Sequence, residues 1–567
     1  MRSRRSLIRS RVLAGLMLIS SSASGQVFER PADERRELPA FEAPEAEDER
    51  PLRGSVLPPI PLPRELRAPL PPSGGVFVRQ IRIEGSSIYS TAELQDAVQP
   101  YIGRVVFAEE LVEVRKAITG LYVERGYVNS GAVIPPQDLR EGSVLVRIIE
   151  GSLTTVEISG TSHLRERYVH DRILTGASVP LNVDRMEEAL RRLQENPRIL
   201  TIRARLTPGE DLGEAVLRVT VVEAVPYVVW GEVNNMQPPS LGGIGGDFFA
   251  LHQSLLGFGD SLDAWLTIAE GLTRVRSRYE VPVNRWDTTI GIRGEWSDSE
   301  IVDSLGRALN VRADAYTIAL YARQPVQRSR RSQLWLEVHA AYRRSDTSLL
   351  GIPFSFVPGP ERGTSKIAAL RFVQDWTYRT PDQAIAARST LSVGLDALGA
   401  TVNPTGLPDG RYVAWLAQLQ WASRLPWLSI ESLVRADIQL ANDPLLPLEQ
   451  IGVGGIRTVR GYRENVFVRD QAAITSLELR VPLLRLDAID AELTLVPFFD
   501  YAYSWNRERP TIGRRSIASP GVGFQLALGS WGDMELYWGY AIWKVPAFEE
   551  DTLQDNGIHF RVRLTAF

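Results

Sequence analysis

The chain contains no cysteine, which excludes a disulfide framework and any thiolate metal site. Lysine is almost as scarce. Lys116, Lys366 and Lys544 are the three in 567 residues, and none follows a glycine, so a nucleotide-binding P-loop is excluded. Charge of one sign is not in excess either, and a formal net charge of −4 gives no nucleic-acid footprint. Long apolar runs are missing. Mean hydropathy is −0.11, and the strongly apolar run Val12 to Ile19 is about half the length of a bilayer-spanning helix. A helical membrane protein is thereby excluded. The five histidines, His163, His170, His252, His339 and His559, show no metal-ligand spacing such as H-E-x-x-H. The stretch LGGIGGDF, Leu241 to Phe248, resembles a phosphate loop only superficially: no helical pattern follows, and it reads as a turn. The expectation is a protein without cofactor, metal or catalytic dyad, and no enzyme.

What is present begins with a leader. Arg2, Arg4, Arg5, Arg9 and Arg11 precede or enter the apolar run, and SSSASGQ follows, with Ala23 and Gly25 as small residues. This predicts a secretory signal over residues 1–25, cleaved near Gly25–Gln26. SRRSLI, Ser3 to Ile8, also resembles a twin-arginine signal, a pattern that an arginine-rich leader produces easily. Residues 26–75 read as a polar segment and a stiff linker, because eight prolines fall between Pro51 and Pro72 and proline-rich chain is extended and cannot build a core. A helix there is confined to about Pro31 to Leu38, since an interior proline costs roughly 3 kcal/mol.

Residues 76–224 contain a repeat. IRIEGSS (Ile81 to Ser87) returns as VEISGTS (Val156 to Ser162), and VRIIEG (Val146 to Gly151) returns as VTVVEA (Val219 to Ala224). Between them Leu111, Val114, Ile118 and Leu121 recur as Val183, Met186, Leu190 and Leu193, a spacing that puts each set on one helix face. Two modules follow, residues 76–151 and 152–224, each in the order strand, helix, helix, strand, strand. Ser90 and Glu93 form a candidate capping box; Asn182 or Asp184 starts the second helix of the second module.

From residue 225 to 567 the period changes to two. Leu334, Leu336, Val338, Ala340 and Tyr342 alternate with Trp335, Glu337, His339, Ala341 and Arg343, and the theme recurs at Leu391–Ala397, Val413–Trp421, Met534–Ile542 and Ile558–Leu564. Segments of about ten alternating residues with aromatic ends are what a membrane barrel needs, because in lipid every backbone group must be paired and the sheet must close. The expected fold is therefore a membrane all-β protein: an antiparallel transmembrane barrel of about 16 strands preceded by the two α/β modules. A large soluble sandwich gives the same alternation. The leader, the Trp and Tyr residues on the apolar parity and a terminal strand favour the barrel, although Phe567 falls on the opposite parity from Phe560 and Leu564.

Late in the barrel, IGVGGIRTVRGYREN (Ile451 to Asn465) holds Val459, Arg460, Gly461 and Tyr462, and Phe498-Phe499-Asp500-Tyr501-Ala502 follows. Asp500 has the opposite parity from Phe499, Leu495 and Leu493, and so faces the lumen if those face lipid. Alternation alone leaves open whether Arg460 reaches it or belongs to an extracellular loop. Two βααββ modules before a barrel with VRGY in a late loop resemble the POTRA-bearing outer-membrane secretion and assembly proteins. The count of two resembles the TpsB transporters of two-partner secretion, the ShlB/FhaC/HecB-type haemolysin secretion and activation proteins. BamA-type insertases usually carry five modules and TamA-type proteins three.

The resemblance implies that the loop folds into the lumen and that Arg460 bonds Asp500 within a Phe-x-Asp-x-Gly motif, whose last position here is Ala502. It further implies an outer-membrane barrel with periplasmic modules, inserted by the barrel-assembly machinery. The modules would recognise a large secreted exoprotein, commonly a β-helical adhesin or haemolysin, and the barrel would conduct it outward without nucleotide hydrolysis. An assembly factor for other barrels and a passive porin or receptor are the competing readings.

Overall fold

The computed structural model describes residues 75–329, 331–404, 406–425, 430–546 and 552–566. The expected leader, linker, short helix and Phe567 lie outside the described residues. The chain divides into a module unit and a barrel unit.

In the first module, strand Gln80–Glu84, helices Thr91–Val98 and Ala108–Glu124, and strands Gly131–Val133 and Ser143–Ile149 follow in order. Strand Ser143–Ile149 lies between its two neighbours, parallel to the first and antiparallel to the second. The second module repeats this with Ser152–Ser159, Glu166–Ile173, Val183–Gln194, Ile199–Pro208 and Glu214–Glu223. The first adds a ribbon, Val76–Val78 against Arg104–Val106.

The helices begin where side chains satisfy their free N–H groups. The Ser90 hydroxyl accepts from the Glu93 N–H while the Glu93 carboxylate accepts from Ser90. Of the two candidates in the second module, Asn182 is the cap, accepting from the N–H groups of Asp184 and Arg185. The expected faces turn inward: Leu111, Val114 and Ile118 are buried with Tyr122, and Met186, Leu190 and Leu193 form the matching core.

The sequence repeat also encodes a fastening. The glutamate at the close of the last strand of each module, Glu150 just after Ile149 and Glu223 as the final strand residue, holds the Ser-bearing loop after its first strand. Glu150 accepts from the N–H and hydroxyl of Ser87 and from the Tyr122 hydroxyl. Glu223 accepts from the N–H groups of Ser162, His163 and Leu164 at 2.8, 2.8 and 2.9 Å. Burial pushes the Glu223 carboxyl up, but these N–H donors outweigh it and hold it at about 2. A folded-state pKa below the ordinary value means that the fastening is fully present above about pH 4.3 and is lost as pH falls through about 2. In scanning calorimetry of the full chain, the module transition should fall across that window. Glu223→Gln should remove much of the slope and cost about 1.5–3 kcal/mol at neutral pH, the worth of hydrogen bonds to a charged group. An unchanged slope in the variant would show that other carboxylates set it.

In the barrel unit sixteen strands join in sequence order and close on themselves. The first is Tyr227–Asn234, the seventh Ser332–Leu349, the eighth Thr364–Arg379, the eleventh Ile430–Ala441, the twelfth Gln471–Leu486, the thirteenth Ala491–Trp505, the fourteenth Ser516–Leu528, the fifteenth Gly532–Gly539 and the sixteenth Ile558–Thr565. No helix among the described residues is long and apolar enough to cross a membrane; the crossing is made by strands. Alternation sorts the faces. Val338, Phe499, Leu536 and Trp538 are exposed on the outside, while Glu337, Arg343, Glu478 and Asp500 are buried inside. Two expected strands are shorter than their pattern. The segment expected to run to Ala397 stops at Leu395, and the fifteenth strand stops at Gly539 rather than Ile542. There the sixteenth strand has not yet begun, although the N–H groups of Tyr540 and Ile542 still bond the carbonyls of Pro520 and Ala518.

Candidate functional site: a loop seated in the barrel

Residues 442–470 link the eleventh and twelfth strands. Their stem is a short ribbon, Ile451–Val453 against Phe467–Arg469. The tip is folded by its own side chains: the Thr458 hydroxyl accepts from the Gly454 N–H, and the Glu464 carboxylate accepts from Ile456. The segment expected to be special is thereby presented as a rigid turn.

Each of the four motif residues has a separate contact. Val459 is buried with Tyr462 against Ile474, Ala502 and Ile517 of the twelfth to fourteenth strands. The alanine in place of the motif's final glycine is therefore part of the apolar seat. The Tyr462 hydroxyl donates to the Ala518 carbonyl at 3.1 Å and accepts from the Trp543 N–H. Gly461 has φ +86°, and a Cβ there would stand 2.6 Å from the Ser519 hydroxyl and 2.8 Å from the Gly539 carbonyl carbon. Only glycine combines that backbone with that approach. The Gly461 N–H donates to His559 Nε2 at 3.1 Å, so that nitrogen must be unprotonated.

Arg460 is 2% exposed, and each of its three guanidinium nitrogens donates to a wall side chain. Nε donates to Asp500 Oδ2 and Nη2 to Oδ1, both at 2.8 Å, and the Arg460 backbone N–H adds a bond to Oδ2 at 3.0 Å. The two parallel side-chain bonds are the planar fork that fixes direction as well as charge. Nη1 donates to Glu478 Oε1 at 2.8 Å and Nη2 to the Ser476 hydroxyl at 3.1 Å. The guanidinium carbon lies 3.6 Å from the centre of the Phe498 ring, a cation–π contact on a desolvated face. Arg435 and Arg480 stand 3.5 and 3.9 Å from Glu478, which offsets the second carboxylate.

Register explains the convergence. Ser476 is paired with Asp500, and Glu478 with Phe498, so two adjacent strands direct four inward side chains to one spot. A surface ion pair contributes ~0–1 kcal/mol. Removing one partner of a buried pair costs about 3–5 kcal/mol, because the remaining charge is stranded.

The sequence reading placed Val459, Arg460, Gly461, Tyr462, Phe498 and Asp500, and the structure brings all six together. It missed Glu478, Ser476 and His559. Ser476 and Glu478 share the lumen parity of TSLEL around Leu477, but so do many other acids, and only the strand register selects them. The tip also reaches the barrel's closure. Arg463 pairs with Asp555, and the Glu464 N–H donates to Gln554, whose amide in turn donates to the carbonyls of Asn235 and Gln237. The first and sixteenth strands share a ladder from Arg561↔Asn234 to Thr565↔Trp230, and Asn235 extends it through both ends of its side chain.

Known proteins are similar to this chain. Residues 76–151 match the POTRA domain of ShlB type. The heme/hemopexin transporter protein HuxB of Haemophilus influenzae is 22% identical over 243 residues, 42% of this chain and 43% of that protein. The outer membrane transporter CdiB of Escherichia coli is 26% identical over 168 residues, 29% of this chain and 28% of that protein. These matches span less than half the length of the curated relatives. Among solved structures, CdiB from Escherichia coli superposes with a TM-score of 0.62 at 18% identity, covering 89% of this chain and 93% of that one. BamA from Haemophilus ducreyi lacking POTRA domains 1–3 gives 0.55 at 14% identity, covering 87% and 100%. Such low identities establish a shared fold. The family itself is established by residues 214–526, more than half of the sequence, and the chain belongs to the haemolysin secretion/activation protein family ShlB/FhaC/HecB.

Proposed function

We propose that this protein captures a large secreted exoprotein in the periplasm through its two modules and passes it through the barrel to the cell surface, without nucleotide hydrolysis. As a member of its family it sits in the outer membrane with the modules in the periplasm. The observation that carries the reading is the Arg460 loop, seated in the lumen by a buried fork rather than left outside as a surface loop. Such a loop is positioned to gate or guide a chain in the pore. HuxB and CdiB, both called transporters, are similar to this chain.

The modules supply the grip. Among the described residues, the ten-residue strand Ile199–Pro208 pairs along one side only, and an extended client can add to such an edge as a further strand. Export would be driven by folding outside, where burial of apolar surface makes return unfavourable. The partner's class, an adhesin or haemolysin of β-helical form, belongs to the same proposal, as does insertion of the barrel by the assembly machinery.

Deleting the gene and comparing culture-supernatant and outer-membrane proteomes with the parent tests this. The expected result is the loss of one large secreted protein alone. A broad fall in many outer-membrane barrels would make the protein an assembly factor. Normal export with reduced uptake of small solutes would make it a porin.

A further inference from the structure

The same loop carries a second buried charge that the Arg460 site does not use. Before the stem ribbon, the short turn Pro447–Glu449 is wholly buried. Leu445, Leu446 and Leu448 pack with Ile367, Ala369, Tyr412 and Ala414 in an apolar cluster on the wall. That packing sets Glu449, 0% exposed, between two inward arginines. Arg343 Nη1 of the seventh strand donates to Glu449 Oε1 at 3.0 Å and to the Leu448 carbonyl at 2.9 Å. Arg371 Nη2 of the eighth strand donates to the same carboxylate oxygen at 2.7 Å. The Gln439 amide of the eleventh strand donates to the Glu449 carbonyl at 3.1 Å.

Three strands lie between the eighth and the twelfth, so this contact and the Arg460 contact hold different parts of the wall. From this geometry we infer that Glu449 is a second positioning residue of the pore loop, with Arg343 and Arg371 as its seat, and that the loop is a strap pinned at both ends. The two pins are opposite in design. At the tip one cation is shared by two carboxylates, Asp500 and Glu478; at the stem one carboxylate is shared by two cations. Any rearrangement that moves the loop out of the pore must separate both. Breaking one leaves the other holding.

The charge count yields a ranking that volume alone does not. Glu449→Gln removes the carboxylate that both buried guanidinium groups share, whereas Arg371→Gln leaves the Arg343–Glu449 ion pair in place. Amide hydrogen exchange of the purified full-length protein in detergent reads the loop directly. In E449Q, exchange over residues 445–453 should accelerate about tenfold or more, while residues 459–464 keep their protection and the barrel stays heat-modifiable. R371Q should change the stem less than half as much on a logarithmic scale, and E449D, which keeps the charge, should restore most of the protection. Stem exchange in E449Q equal to that of the parent would overturn the inference. So would acceleration along the whole loop with loss of heat-modifiability, because Glu449 would then support the barrel generally. The readout involves no cargo, so its failure is distinct from failure of the transport proposal.

Discussion

Arg460→Ala is expected to lower exoprotein secretion by about tenfold or more while the barrel still folds and inserts, because it takes the guanidinium fork from the buried Asp500 carboxylate at a cost of about 3–5 kcal/mol. Asp500 is 0% exposed, and alanine offers its carboxylate no side-chain donor, whereas Glu478 keeps Arg435 and Arg480 beside it. The cheapest relief is for the tip to leave its seat and let water in, which moves the loop rather than the wall. The sixteen-strand ladder does not pass through residue 460, so closure of the sheet does not depend on it. Arg460→Lys tests geometry against charge. A lysine ammonium keeps the attraction but cannot form the parallel fork to Asp500, reach Glu478 and lie flat on Phe498 together, so secretion should be intermediate. Immunoblots of culture supernatant, normalised to heat-modifiable barrel in the outer membrane, provide the measurement. Normal secretion by R460A at equal barrel abundance would refute the loop's role in transport.

Much of this architecture is legible in the sequence, for reasons that differ between the units. Period two over ten-residue segments is forced by a sheet with lipid on one face and water on the other, so Val338, Phe499 and Leu536 could be assigned to the outside from sequence alone. The modules were legible because the sequence repeats itself, down to the glutamates at 150 and 223 that close on Ser87 and Ser162. Their function as fastenings was not, since a carboxylate at a strand end is ordinary until its loop is seen to fold over it. The Arg460–Asp500 pair was implied by family resemblance and parity together. Glu478, His559, Glu449, Arg343 and Arg371 were out of reach. Parity names dozens of lumen residues, and which of them meet depends on register and on the path of the loop, neither of which periodicity records. Strand ends were likewise hidden: Tyr540 and Ile542 continue the apolar alternation beyond Gly539 and still bond the fourteenth strand, while on the other side the sixteenth strand begins only at Ile558.

Exchanging the two charges, Arg460→Asp with Asp500→Arg, should fail to restore secretion, leaving it within about twofold of the R460A level. An isolated pair tolerates reversal, since the attraction is symmetric. This one is not isolated. The Arg460 backbone N–H donates to Asp500 at 3.0 Å, and an arginine at 500 would turn a donor towards that donor. A carboxylate at 460 would face Glu478, which now lies 2.8 Å from the guanidinium, and two buried like charges at that range cannot both stay ionised cheaply. The Ser476 hydroxyl and the Phe498 ring face are matched to a cation at 460 and offer a carboxylate less. Adding Glu478→Gln to the reversed pair removes the repulsion but not the misdirected N–H, so secretion should recover in part and remain below the parent. The comparison of single, double and triple variants at equal barrel abundance therefore separates two descriptions of the site. Full recovery in the reversed double variant would reduce it to one ion pair. Recovery that waits for E478Q would establish that the wall of the twelfth and thirteenth strands is built around an arginine entering from the loop, with direction as well as charge specified.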